Sequence, residues 1–328
     1  MKRKQRILSA ALCFALLLSV FALPVCAAHA VYNELPIIPP TEEEPAILSV
    51  QPHIDQNVNL IYIASVPDGY TNPYMVFTFL GTSYTVTTYT VNERGNYCFA
   101  FTGCLPHYMG ENIAAVLHAS KNGTDHTASV ATYSIRQYCV NQMAANPSNT
   151  KLKTLLSDLL TYGAATQQYV GYKTNELVTS GLTLTPSSFS AISGKEVSFS
   201  GTADAGTDWR SATLVLRSTL AVRFYFRAES TRGLTVRCTI NGRSRDFTSF
   251  GYDSANALYY VDVEDIEATE FDKTVTATFL SRSGQLGRSA SYCVNTYVCS
   301  MQNCADANLR ELVRALYNYG AAASAYVN

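Results

Sequence analysis

The segment Leu155-Leu156-Ser157-Asp158-Leu159-Leu160-Thr161-Tyr162-Gly163-Ala164-Ala165 recurs as Leu312-Val313-Arg314-Ala315-Leu316-Tyr317-Asn318-Tyr319-Gly320-Ala321-Ala322, and a Tyr follows four residues later in both copies, at Tyr169 and Tyr326. A duplication limits the fold more than any local signal, because both copies must bury the same face. The match continues upstream. Leu60 and Tyr62 correspond to Val222 and Phe224, Tyr97–Phe101 to Tyr259–Val263, and Met109 and Ile113 to Phe271 and Val275, all at an offset of 162. Asn122-Gly123 and Ser283-Gly284 then fall in one turn, and Tyr133–Tyr138 matches Tyr292–Tyr297. The matched positions are mostly the inward set of each predicted strand, as a shared core requires.

Each copy changes period once. Val58, Leu60 and Tyr62 alternate with less buried neighbours; Met75–Phe79, the Thr/Tyr/Val-rich Tyr84–Val91, Tyr97–Phe101 and Ile113–His118 follow as short strands separated by turns. After Tyr133 the spacing becomes helical, Pro147 interrupts it, and Leu152, Leu155, Leu156, Leu159, Leu160 and Gly163 form one stripe. The small residues Gly163-Ala164-Ala165 inside that stripe mark a packing seam. The expected fold class is α+β: two tandem antiparallel β-sandwich (Ig-like) modules, each followed by a C-terminal helical hairpin. The expected boundaries are a signal peptide at 1–30, a Pro/Glu-rich linker at 31–46, a first module at 47–170, a linker at 171–208 with an extra strand at Val197 and Phe199, and a second module at 209–328. Each hairpin must bury its stripe; the sandwich of its own copy is the obvious surface, with packing between copies as the alternative.

The Leu-x-x-Leu-Leu-x-Tyr-Gly-Ala-Ala helix end, set after a Tyr-Ser-Ile-x-x-Tyr helix start, resembles the largely uncharacterised repeat modules of secreted surface proteins from Gram-positive gut anaerobes. That resemblance implies export and a non-catalytic surface role. It supplies no site residues, and the dockerin or surface-layer domains expected beside such repeats do not occur in this sequence.

The first thirty residues agree with export. Lys2, Arg3, Lys4 and Arg6 precede the apolar run Ile7–Leu23, and Ala28-His29-Ala30 or Val25-Cys26-Ala27 offers a cleavage site. Pro24 and Val25 disfavour lipidation of Cys26. With no second apolar span, the mature chain is expected to be released or held non-covalently. Without the leader, 20 basic residues face 25 acidic ones, a balance that speaks against nucleic acid as the partner. Seven of the nine cysteines remain: Cys98, Cys104, Cys139, Cys238, Cys293, Cys299 and Cys304. Export permits disulfides, but an odd number leaves at least one thiol unpaired or intermolecular, and most positions differ between the copies, as small buried apolar residues do.

Chemistry is sparse. No Gly-x-Ser-x-Gly elbow, P-loop, dinucleotide fingerprint or Cys-x-x-Cys occurs, so no cofactor and no metal are implied. His53, His107, His118 and His126 all lie in the first copy, and a hydrolase would have to be built there. His118 and His126 flank the Asn122-Gly123 turn and are expected to face each other near Asp125, a pair with no third metal ligand. The run Asp262, Glu264, Asp265, Glu267, Glu270 and Asp272 lacks a calcium-loop pattern and reads as a solvated face.

Binding has more support. If Val222, Phe224 and Phe226 face the core, Arg223, Tyr225 and Arg227 share the opposite face, and Arg237 is expected beside them on the next strand, Leu234 to Ile240. Flat Tyr and forked Arg side chains suit sugars, carboxylates or a protein surface. The expected function is a secreted, non-catalytic recognition or adhesion protein for a glycan or cell-surface polymer. A structural scaffold that binds a surface protein is the second reading, and a secreted hydrolase the third.

Overall fold

The computed structural model describes residues 44–54, 58–194, 196–204, 206–216, 220–264, 266–281 and 284–328. The leader and nearly all of the 31–46 linker lie outside the described residues, as does Asp265. The described residues form antiparallel β-sheets and four α-helices, consistent with an α+β, sandwich-like fold. No helix among them is long and apolar enough to cross a membrane.

Eight strands come first: β1 (Ala46–Ile54), β2 (Val58–Ser65), β3 (Tyr70–Phe79), β4 (Thr82–Val86), β5 (Thr90–Val91), β6 (Tyr97–Phe101), β7 (Ile113–Lys121) and β8 (Thr124–Tyr133). They make two sheets, ordered β1-β2-β6-β5 and β4-β3-β7-β8. Helices α1 (Ile135–Ala145) and α2 (Thr150–Val170) follow. A second series then runs β9 (Ser198–Ser200), β10 (Thr207–Val215), β11 (Ala221–Ala228), β12 (Thr235–Ile240), β13 (Arg243–Phe247), β14 (Gly251–Asp253), β15 (Leu258–Val263), β16 (Val275–Ser281) and β17 (Gly284–Tyr292), and ends in α3 (Val294–Met301) and α4 (Ala307–Val327). Its sheets are ordered β10-β11-β15-β14 and β13-β12-β16-β17-β9. With β9 set aside, the second order repeats the first strand for strand. Even side-chain detail recurs: Thr78 hydrogen-bonds Ser83 across β3 and β4 at 3.1 Å, and Thr239 bonds Ser244 across β12 and β13 at 2.8 Å.

The chain divides into two compact units. One comprises the described residues up to Val50 with Ile61–Ala100 and Ile113–Thr132. Its core holds Tyr62, Phe77, Met75, Phe99 and Leu117, all fully buried. Tyr62 of β2 meets Phe77 of β3 at 5.1 Å between ring centres, which brings the inner faces of two sheets together.

The other unit comprises Gln51–Leu60, Phe101–Asn112 and Tyr133–Asn328. Trp209 is the plug of its sandwich. The indole of this β10 residue stacks on Phe279 of β16 at 4.1 Å, contacts Phe224 and Phe226, and donates to the Arg288 carbonyl at 3.0 Å. A buried indole N–H needs such an acceptor.

This unit also holds all four helices. Ser134, Asn149 and Asp306 cap α1, α2 and α4 by accepting from the backbone N–H of Gln137, Leu152 and Leu309. Gly171, at φ 75°, ends α2 in the left-handed conformation. The long helices α2 and α4 pack on each other, with Tyr162 stacked on Tyr319 at 5.8 Å. Each also rests on a short 3-10 turn of its own repeat, α2 on Pro106–Tyr108 and α4 on Ala268–Glu270. The repeated Tyr-Gly-Ala-Ala is the seam of both contacts. A Cβ on Gly163 would lie 2.9 Å from Met109 Sδ and 3.1 Å from the Pro106 carbonyl; one on Gly320 would run into the Phe271 ring and lie 3.2 Å from the Ala268 carbonyl. The long helices thus touch both a short turn and each other.

The segment joining the repeats is a strap laid along these helices. Val178 N–H donates to Gln167 Oε1 at 2.7 Å, Thr185 N–H to Ser157 Oγ at 3.1 Å, and Ser187 gives both its N–H and its hydroxyl to Asp158, at 2.9 and 2.7 Å. Asn318 of α4 donates to the Ser187 carbonyl at 2.7 Å, and Gln302 exchanges two bonds with the Ile192 backbone at 3.0 and 2.7 Å. The strap ends in β9, which pairs with β17; of Val197 and Phe199, where an extra strand was expected, β9 includes Phe199 and not Val197.

Candidate functional site

Strand β11 alternates as its sequence requires. Val222, Phe224 and Phe226 are fully buried, while Arg223, Tyr225 and Arg227 face outward. Register places Arg223 opposite Asp262 and Tyr225 opposite Tyr260 of β15. Arg223 grips Asp262 with a two-pronged fork, Nε to Oδ1 at 2.7 Å and Nη2 to Oδ2 at 2.8 Å. Its guanidinium also lies 3.8 Å above the Tyr260 ring. Tyr225 meets Tyr260 edge-on at 5.9 Å.

Gly251 makes this arrangement possible. It stands opposite Tyr260 on β14, and any Cβ there would collide with the phenol ring. Tyr260 thus lies between bare backbone and a cation, held on both faces. The bond to Asp262 drives the Arg223 pKa still higher, so that guanidinium stays charged at any ordinary pH. Asp253, on β14, is held below the usual carboxylate range, first by the Asn256 amide, with the Arg223 charge adding a smaller effect.

Arg227 is different. It is exposed and makes no ion pair among the described residues. Its cross-strand partner, Asp208, is occupied by Arg288, which binds it at 2.7 and 3.0 Å and lies 4.3 Å over the Phe199 ring. A bulge between Trp209 and Ser211 places Arg210 3.7 Å from the same carboxylate.

Of the four residues singled out from sequence, the structure brings Arg223, Tyr225 and Arg227 together and sets Arg237 apart. β12 follows β11 in the chain but belongs to the other sheet, where Arg237 forks onto Asp246 at 2.7 and 2.8 Å. That exposed bond raises the Arg237 pKa and lowers that of Asp246. Sequence reasoning missed Tyr260, Asp262 as a partner, Gly251 and Arg288. The alternation of Tyr260 and Asp262 with Val261 and Val263 was a usable signal; their register against β11 was not visible.

The described histidine side chains do not converge. His118 Nδ1 lies 3.0 Å from Asp125 Oδ2, the Tyr74 hydroxyl donates to the same oxygen at 3.1 Å, and the Tyr74 ring stacks on His118 at 4.6 Å. His126 instead meets the edge of Tyr70 at 5.7 Å. Asp125 thus joins His118, and the expected facing of His118 and His126 is replaced by two separate aromatic contacts. His107 is buried against Tyr108, and burial lowers its pKa. The side chain of His53 lies outside the described residues.

Among the described residues, no group of three or more His, Cys, Asp or Glu side chains could hold a metal ion. The acidic run is dispersed: Asp262 serves Arg223, Glu267 and Glu270 form a capping box paired with Arg243, and Asp272 meets Lys273 at 3.2 Å. All seven described cysteines are free thiols, and burial pushes Cys104, Cys139 and Cys238 up to about 12, far from a reactive thiolate.

No protein-family model matches the chain, and no curated protein matches it. Solved structures that it matches include a 1.5-MDa bacterial ice-binding adhesin described for its host cell surface retention, at 13% identity over 76% of this chain and 65% of that one, with a TM-score of 0.17. A chimeric titin tandem matches at 9% identity over 75% and 96% of the two chains, TM-score 0.17. The paired C2 domains of an extended synaptotagmin match at 5% identity over 84% and 89%, TM-score 0.24. This chain spans less than two thirds of the adhesin chain's length. At these TM-scores the likenesses say nothing about ligand or activity.

Proposed function

We propose that this is an exported, non-catalytic recognition or adhesion protein built from two tandem sandwich-plus-hairpin modules, and that the outer face of β10-β11-β15-β14 binds a glycan or cell-surface polymer. The observation that carries this reading is the pre-set strip of Tyr225, Tyr260 and Arg223 over Gly251. Tyr260 is covered by the Gly251 backbone on one face and the Arg223 guanidinium on the other, so in this reading the ring that meets a sugar is Tyr225, which Tyr260 helps to hold in place and which therefore loses little entropy on binding. In this reading Arg223 is spent on Asp262 and positions the rings, whereas Arg227 is left to meet a ligand. The leader at 1–30 supports export, and the repeated strand order supports duplication.

The test is retention of the mature chain, residues 31–328, on immobilised polysaccharides and cell-wall polymers, with free sugar as competitor. Tyr225→Ala and Arg227→Ala are expected to lose retention while Arg237→Ala keeps it. Retention that is insensitive to Tyr225 and Arg227 would remove the site from this face.

A protein scaffold is the second reading, favoured by the strap, which fastens α2 of one repeat to α3 and α4 of the next. It predicts capture of a defined surface protein unaffected by free sugars.

A further inference from the structure

The two repeats treat one sheet edge differently. β4 closes an edge of the first repeat's sheet, and β13 closes the equivalent edge in the second. Tyr84 stands opposite Phe77, and Arg245 stands opposite Cys238. The matched Thr–Ser bonds across these strands give the same spacing, so Tyr84 and Arg245 are structural equivalents. Phe77 and Cys238 are buried, which places both Tyr84 and Arg245 on the inner-face side at the open lip of the sheet.

A charge at that position guards an edge, because a second sheet pairing there would have to bury it. β13 carries Arg245, with Arg243 and Asp246 along the same strand. β4 carries no such guard. Its sequence is Thr82-Ser83-Tyr84-Thr85-Val86, mostly β-favouring residues, and no charged residue occurs between Asp68 and Glu93. Tyr84 is 47% exposed.

We infer that β4 pairs antiparallel with β4 of a second copy of this chain, joining two sheets across a two-fold axis. A register centred on Tyr84 sets Tyr84 against Tyr84 of the second copy, Ser83 against Thr85, and Thr82 against Val86. Every pair is uncharged, and the central one is aromatic, the favourable kind of cross-strand contact. The same register at β13 would press Arg245 on Arg245 and bury both charges. The chain's own N-terminal arm is a poor occupant, since Pro36, Pro39 and Pro40 lack the N–H groups a ladder needs and the arm leads into β1, in the other sheet. A self-complementary edge is consumed by its own pairing, so the assembly closes as a dimer.

Sedimentation velocity of the mature chain across a concentration series tests this. The wild type is expected to form a reversible dimer. Tyr84→Arg, which copies the guard of β13, is expected to raise its dissociation constant by about tenfold or more. Tyr84→Ser is expected to weaken the dimer in the same direction, and Arg245→Ala to leave it unchanged; an unaltered near-ultraviolet circular dichroism spectrum shows that each variant is folded. A wild type that stays monomeric at every concentration, a dimer indifferent to both Tyr84 variants, or open-ended polymers would each overturn the inference.

Discussion

The two repeats share a skeleton and differ at the surface. Strand order, cross-strand Thr–Ser bonds, helix caps and seam glycines recur. On the outer faces little does. The first repeat sets Tyr74 against His118, where the second sets Thr235 against Leu280. The second sets forked Arg–Asp pairs across neighbouring strands, at Arg223–Asp262 and Arg237–Asp246. Positions held by the core cannot drift without a packing penalty, whereas outward positions can take up new work. Functional differences between the copies belong on those faces, and the common positions belong to folding.

The largest expected break in the symmetry is at the sandwich plug. Trp209 is fully buried against three Phe rings, while the residue at its spacing in the first repeat is Ile47, also buried. Trp209→Ala is expected to cost about 4 kcal/mol and Ile47→Ala about 3 kcal/mol, read as lowered urea midpoints. Equal, small losses at both would mean that the indole is not the plug.

The seam glycines come next. Gly320→Ala forces a methyl into the Phe271 ring, which is 3% exposed and cannot step aside. The expected loss is about 2 kcal/mol. Gly163→Ala meets the flexible Met109 thioether, so the expected loss is about 1 kcal/mol or less, part of it returned by the better helix propensity of Ala. Denaturant melts of the two variants measure the difference directly.

Asp158 sharpens the comparison through pH. It is buried in α2, where Ala315 takes its place in α4, and desolvation raises its pKa despite the bonds from Ser187. The folded state therefore holds this proton more tightly than the unfolded chain. Its contribution favours folding below the unfolded pKa and is lost as pH rises toward the raised folded value. Asp158→Asn keeps an acceptor for the Ser187 N–H and removes the buried charge. Above that window it is expected to match or exceed the wild type by about 1 kcal/mol, and the advantage should vanish in acid. A variant less stable at neutral pH would contradict this sign.

The smallest effects are expected at the arginine forks. Arg223→Lys loses the two-pronged geometry and the flat contact on Tyr260, at about 1 kcal/mol. Arg237→Ala, at a solvent-exposed pair, is expected to leave the thermal midpoint unchanged. Differential scanning calorimetry resolves the two.

What was legible in the sequence follows from what repeats. The alternation of Val222, Phe224 and Phe226 against Arg223, Tyr225 and Arg227 needs only a period of two, and the Leu155–Gly163 stripe only a period near 3.6; both are local. The position of Arg237 is not local. A link from β11 to β12 can form a hairpin or cross to the other sheet, and residue types alone do not separate the two. The strap was hidden for a similar reason. Residues 171–208 are rich in Ser, Thr and Gly, which reads as a linker, but the backbone of Val178, Ser187 and Ile192 within it finds Gln167, Asp158, Asn318 and Gln302, partners distant in the chain. Gly251 gave no sign at all, because its purpose is to leave room for a ring on a neighbouring strand.

The central claim is that recognition resides on the outer face of β10-β11-β15-β14. The most direct measurement is the affinity of the mature chain and of Tyr225→Ala, Arg227→Ala and Arg237→Ala for the polysaccharide that retains the wild type best. Loss of about tenfold or more at Tyr225 and Arg227, with Arg237→Ala unchanged, is the predicted result. Equal affinity in all four proteins, each shown to be folded, would contradict it.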